Sequence, residues 1–179
     1  MEKWFIYTKI TKIMKFITKK DYDKKCKEDK YFFKRWNYYK EVIEIAKNLN
    51  PLSVLELGCS SFPLCLNSVR IEKEHKKHIN YVFDCTITPW TFNHNFDLAI
   101  CLQVFEHFEG RQKNVFNELK KIVNKLIVSV PYKWNRPNDC HHNICEKTLF
   151  EWFEEIPILE KIAIDSNTKR LICLYDFTK

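Results

Sequence analysis

Hydrophobic and polar positions change rhythm near Pro51. Before it, Ile6, Ile10, Ile13, Met14 and Ile17 recur at the spacing of one helix face, with Lys12, Lys15 and Lys19 opposite. That pattern predicts a basic amphipathic helix. The charge-dense stretch 21–30 reads as a loop or a solvated helical turn, and a second helix is expected with Phe32, Trp36, Tyr39, Ile43 and Ala46 on one face. After Pro51, short apolar runs at 53–57, 79–83, 96–104 and 125–131 alternate with turn-rich or helical pieces. Near-continuous apolar runs of this kind are expected of parallel strands buried on both faces. Between the last two runs, Val115, Phe116, Leu119 and Ile122 lie in helical register. A polar loop follows Pro131, and Thr148 with Glu151 has the form of a capping box that opens a further helix, closed by Pro157. The runs 158–165 and 169–177, joined by Ser-Asn-Thr, predict a terminal antiparallel hairpin. The expected fold is therefore α/β: a doubly wound, mostly parallel sheet with a terminal antiparallel hairpin. Residues 1–30 form a basic N-terminal helical extension and 31–179 the domain proper.

At 179 residues, 45% hydrophobic and 30% charged, the chain has the size and apolar content of one folded domain and is too apolar for a disordered one. It has only two glycines, Gly58 and Gly110, which makes each informative. The net charge of +7 is uneven: the first fifty residues hold 14 Lys or Arg against 7 Asp or Glu, and beyond them the two signs balance. A nucleic-acid-binding body would carry its excess charge on the folded surface, so nucleic acid is not the expected partner. Residues 1–20 are the segment suited to lie on an anionic membrane or to pack on a partner protein. Of the eight cysteines, Cys101 and Cys173 sit inside apolar runs, as reduced cysteines in a cytoplasmic protein do. Lys9, Lys12 and Lys15 interrupt any signal-peptide core, and no run approaches the roughly 18 apolar residues of a membrane span. A cytoplasmic protein, soluble or membrane-peripheral, is expected.

Candidate chemistry begins with VLELGCSSFPL at 54–64, a buried strand ending in an acid and then a glycine. Open α/β sheets bind ligands at that carboxyl edge. The pieces that follow keep a set order: NYVFDCT with Asp84, FDLAICLQVFEHF starting 12 residues later, a helix, LIVSVPYKW, and DCHHNI. In order and spacing, residues 51–176 resemble the class I S-adenosylmethionine-dependent methyltransferases, in particular small bacterial methyltransferase-domain proteins.

This resemblance implies a Rossmann-like methyltransferase fold, S-adenosylmethionine as cofactor and methyl transfer as activity. Carried onto this sequence, it places Glu56, Leu57, Gly58 and Cys59 in the turn beneath the methionine part, with Glu56 toward the ammonium end. Ser60 and Phe62 stand where the family has glycines, and the Ser60 hydroxyl is suited to the cofactor carboxylate. Two arrangements fit the acids. Either 68–72 is a short second strand ending at Glu72, which takes the ribose and leaves Asp84 with Cys85 beside the adenine, or Asp84 itself takes the ribose. The 12 residues from Asp84 to Phe96 favour the first. Leu102, Gln103 and Val104 would line the methyl donor. His107 is the first candidate base, with His141 and His142 as further candidates for base or acceptor orientation, and Tyr132, Trp134 and Asp139 as substrate contacts. The acceptor implied is a small molecule methylated on oxygen or nitrogen, such as a metabolite or surface-sugar precursor. The rivals are a catalytically inactive interaction module and an RNA methyltransferase. The segment 139–145 lacks the paired spacing of a zinc site, so no metal is expected, and Cys140 and Cys145 read as plain thiols.

Overall fold

The computed structural model describes residues 13–60, 62–75, 78–92 and 94–178. Seven strands form one sheet: β1 (Val54–Leu57), β2 (Val69–Glu72), β3 (Tyr81–Val82), β4 (Phe96–Leu102), β5 (Val123–Pro131), β6 (Leu159–Asp165) and β7 (Thr168–Asp176). Their order is β3-β2-β1-β4-β5-β7-β6. The first five run parallel, whereas β7 lies antiparallel between β5 and β6. Helices α1 (Lys19–Glu28), α2 (Trp36–Asn48), α3 (Gln112–Ile122) and α4 (Glu146–Phe153) complete the fold.

Strand alternation sorts the core into two layers. Ala99 and Cys101 of β4 join Leu126 and Val128 of β5 beneath Val115, Phe116 and Leu119 of α3 and Leu149 and Phe153 of α4. Leu98, Ile100 and Ile127 point the other way, against Tyr38, Tyr39, Val42 and Ala46 of α2. Each large side chain sealed in this way contributes about 1.5–3 kcal/mol, and the stacked Phe116 and Phe153 rings, 4.3 Å apart, anchor the first layer. No side chain of its own caps α2. Instead Asp165, at the end of β6, accepts from the backbone N–H groups of Asn37 and Tyr38, each at 3.0 Å. A carboxylate there satisfies two orphan donors and complements the helix dipole.

The short second strand is present, ending at Glu72 as the preferred arrangement requires. Neither the β1–β2 nor the β2–β3 connection contains a helix among the described residues. Three local expectations are corrected. Residues 13–18 are not helical: the Ile17 N–H donates to Leu64 O, Leu66 N–H donates to Lys15 O, and Phe16 pairs with Cys65. This pairing consumes the backbone groups a helix would need, and Thr18 with Asp21 forms a capping box that starts α1 only at Lys19. The rest of the proposed N-terminal helix, residues 1–12, lies outside the described residues. The segment 21–30, expected as a loop or a single helical turn, is mostly α1. Helix α4 begins at Glu146, and its capping box is formed by Cys145 and Thr148 rather than by Thr148 and Glu151. Ile17 and Tyr22 are buried with the α2 layer. Among the described residues, no helix is long and apolar enough to cross a membrane.

Candidate active site

The turn after β1 sets the site. Gly58 has φ +71°, and an added Cβ would overlap Val104 Cγ2, so glycine is needed for both backbone angle and approach. Two residues on, Ser60 also adopts positive φ (54°), the conformation glycine would take more easily. Its N–H donates to Glu72, which ties the turn to the end of β2. Glu56 is buried and turns its carboxylate into the next loop, accepting from Leu64 N–H (2.8 Å), Cys65 N–H (2.8 Å) and the Ser68 hydroxyl (2.7 Å). Burial raises its pKa, opposed by these donors and by Arg70. Glu56 thus does the bonding that a helix would otherwise do between β1 and β2. Burial also pushes the Cys59 thiol far up, so it is neutral.

At the carboxyl ends of β1, β2 and β3 lies a cavity of about 430 Å³, lined by Gly58, Glu72, Asp84, Cys85, Val104 and His107 among others. Its volume is in the range of small-molecule and cofactor sites. One Glu72 oxygen takes the Ser60 N–H, and the other has no protein partner among the described residues. Asp84 is held by the Thr86 N–H (3.0 Å) and hydroxyl (2.7 Å) and by Lys73 (3.0 Å). The hydrogen bonds from Thr86 and Lys73 hold its carboxyl down at about 2. Arg111 also reaches Thr86, at 2.9 Å. Both oxygens of Asp84 are therefore occupied at the rim.

Leu57 and Gly58 also line a second, smaller cavity of about 70 Å³ on the α2 side. Its other walls include Arg35, Tyr39, Ser60, Phe62, Leu102 and Gln103. Phe62 turns away from the glycine turn to pack on Tyr22, Phe32 and Tyr39, with ring centroids 5.3–6.5 Å away. Arg35 lies 4.0 Å from the Tyr31 ring centroid and forms no carboxylate ion pair among the described residues. Gln103 donates to the Ser129 hydroxyl at 3.3 Å, and Ser129 also bonds the Tyr38 hydroxyl.

The candidate histidines divide. His107, beyond β4, meets the loop after β5: its Nδ1 lies 3.5 Å from Cys140 Sγ, which is 3.4 Å from His141 Nδ1. The two imidazoles are 5.0 Å apart, and His141 stacks on Trp134 and bonds Asp139 through both its backbone N–H and its ring. Burial and the neighbouring His141 lower the His107 pKa, favouring a neutral ring able to accept a proton. His142 does not join them; its Nδ1 accepts the Arg136 N–H at 3.2 Å and shapes the loop. Tyr132 gives its hydroxyl to Glu146 at 2.8 Å and lines neither cavity. Next to His107, Glu106 is 3% exposed with neither oxygen hydrogen-bonded among the described residues, and burial pushes its pKa up to about 8, opposed by Arg170.

Sequence reasoning missed Arg35, Cys140 and Glu106 as site residues. Glu106 carried the clearest signal, an acid directly beside the candidate base; Cys140 lay in a segment set aside for lack of paired spacing, and Arg35 carried no signal, because both depend on which loops meet. No protein-family model matches this chain, and no curated protein matches it. Solved structures do. One is an S-adenosylmethionine-dependent methyltransferase from Clostridium acetobutylicum ATCC 824, with TM-score 0.59 and 12% identity over 88% of this chain and 96% of that one. Another is an rRNA methylase from Escherichia coli, with TM-score 0.57 and 15% identity over 88% and 71%. A third is the methyltransferase domain of bacterial CtHen1-C, with TM-score 0.56 and 15% identity over 78% and 97%. At these identities the likeness is one of fold: the chain has the Rossmann-like fold of the class I methyltransferases.

Proposed function

We propose that this protein binds S-adenosylmethionine and transfers its methyl group to an oxygen or nitrogen of a small acceptor. The observation that carries the reading is the pair of cavities meeting at Leu57 and Gly58, on the sheet edge where this fold leaves its strand ends open. The larger would take the adenosine, with the free oxygen of Glu72 for the ribose hydroxyls and Asp84 and Cys85 beside the base. The smaller would take the methionine end. There Arg35, without a carboxylate partner among the described residues, suits the cofactor carboxylate better than a serine hydroxyl does. Glu56 is spent on the loop and supports the site from beneath.

The reaction needs little beyond alignment, since a nucleophile in line with a sulfonium methyl reacts when held close. His107, neutral and lining the larger cavity, would accept the acceptor's proton. Calorimetric titration of the full chain with S-adenosylmethionine, S-adenosylhomocysteine and adenosine tests the reading. Saturable binding is expected, with Arg35→Met weakening the two methionine-bearing ligands at least about tenfold and leaving adenosine unchanged. Gly58→Arg, which fills the turn, should abolish all three. A folded wild-type chain that binds none of them at millimolar concentration leaves only the interaction-module reading.

A further inference from the structure

The loop after β5 and the turn after β4 bring together donor atoms that the proposed methyl transfer does not use as a set. One ligand atom each from His107, Cys140 and His141 lies within 4.8 Å of the others. We propose that these three residues form a binding site for a divalent transition-metal ion of the zinc class, beside the larger cavity that His107 also lines.

Two imidazoles and a thiol are the ligand chemistry that zinc and cobalt(II) favour over magnesium or calcium. Around a tetrahedral ion, bonds of about 2.3 Å to sulfur and about 2.05 Å to nitrogen put sulfur and nitrogen about 3.6 Å apart. The Cys140 sulfur stands 3.5 Å from His107 Nδ1 and 3.4 Å from His141 Nδ1. Two sulfur–nitrogen edges of such a tetrahedron are thus close to the required length, across two loops. Asp139 accepts from the His141 backbone N–H and also contacts Nδ1, the nitrogen that faces Cys140, so an ion bound there would replace the ring contact and keep the backbone one. Three protein ligands and an open fourth position are the arrangement of a catalytic rather than a structural zinc site. His107 also lines the larger cavity, so the cluster borders it. The inference stands on these side chains alone and does not require the cofactor reading; while His107 holds an ion it does not serve as the base proposed above.

Cobalt(II) titration of the full-length chain, stripped with chelator and free of cofactor, tests it by absorption. A tetrahedral thiolate site gives a sulfur-to-cobalt charge-transfer band together with intense visible bands. Saturation at a single equivalent is expected, with added zinc bleaching the spectrum. Cys140→Ser should remove the charge-transfer band, and His107→Gln should weaken binding by at least about tenfold. Cys145→Ser, which changes a thiol outside the cluster, should leave both unchanged. Circular dichroism confirms that each variant is folded, and because Cys140 is exposed its replacement should not unfold the chain. Absence of a saturable band in the wild type overturns the proposal, as does a band that survives Cys140→Ser or disappears with Cys145→Ser. Loss of cofactor binding with metal binding intact would strike only the methyltransferase reading.

Discussion

The two halves of the sheet are stabilised by different means. From β4 to β7 the strands are long, helices α3 and α4 cover one face, and the contacts are apolar: Phe116, Leu119, Leu126, Phe153. From β1 to β3 the strands shorten to four, four and two residues, and the connections between them contain no helix among the described residues. Carboxylates and a guanidinium do the work there. Glu56 holds the loop at Leu64, Cys65 and Ser68. Arg70 bonds the carbonyls of Leu66 at 2.7 Å and His78 at 3.3 Å. Asp84 ties Thr86 to Lys73. Where the chain is too short for crossover helices, buried backbone N–H groups still need partners, and side chains supply them. The cavity proposed for the cofactor lies in this polar-stapled half, so stability and ligand binding should be linked there and separable in the other.

The largest break in that comparison is expected from Glu56→Ala. It strips the loop of its acceptor, leaves buried donors unmet, and should cost about 3–5 kcal/mol in urea denaturation while abolishing cofactor binding by calorimetry. Phe116→Leu, in the helix-covered half, should cost about 1–2 kcal/mol in the same denaturation and leave the cofactor affinity of the folded protein unchanged. If both variants lose affinity in proportion to stability, the halves are not separate in function. Ser60→Gly should act in the opposite direction, relieving the positive φ and raising stability by about 0.5–1 kcal/mol, read as a higher urea midpoint. The smallest effect belongs to Asp84. Its pKa is depressed in the folded state, so its contribution is present above about pH 3.9 and is lost as pH falls toward about 2. Asp84→Asn should flatten the urea midpoint over that range by less than about 1 kcal/mol, because the site is solvent-screened. An unchanged acid slope would mean the Lys73 and Thr86 contacts carry no stability.

Part of the geometry around the candidate site was legible before any coordinates. The scarcity of glycine singled out Gly58, and the position is strained as well as tightly packed. The spacing from Asp84 to Phe96 favoured a short second strand ending at Glu72, and β2 ends there. Less legible was what each residue does there. Glu56 occupies the expected strand end yet spends its carboxylate on a loop, because in a buried site the nearest unsatisfied donors take the acceptor first. His141 and His142 are neighbours in sequence but part company, one toward His107 and the other toward the Arg136 backbone, since a turn points successive side chains in different directions.

What the sequence determined by itself is what periodicity encodes: buried apolar strands, the amphipathic faces of α2 and α3, and the terminal hairpin. These follow from local spacing, because a strand or helix presents the same residues whatever it packs against. Tertiary structure alone decided the long-range polar partnerships. Asp165 caps a helix 127 residues away at Tyr38, residues 15–17 pair beside Cys65, and His107 meets Cys140. Sheet order places those loops side by side. A polar atom then bonds whichever partner the fold brings within reach, since leaving it buried and unpaired costs more than any local preference can offset.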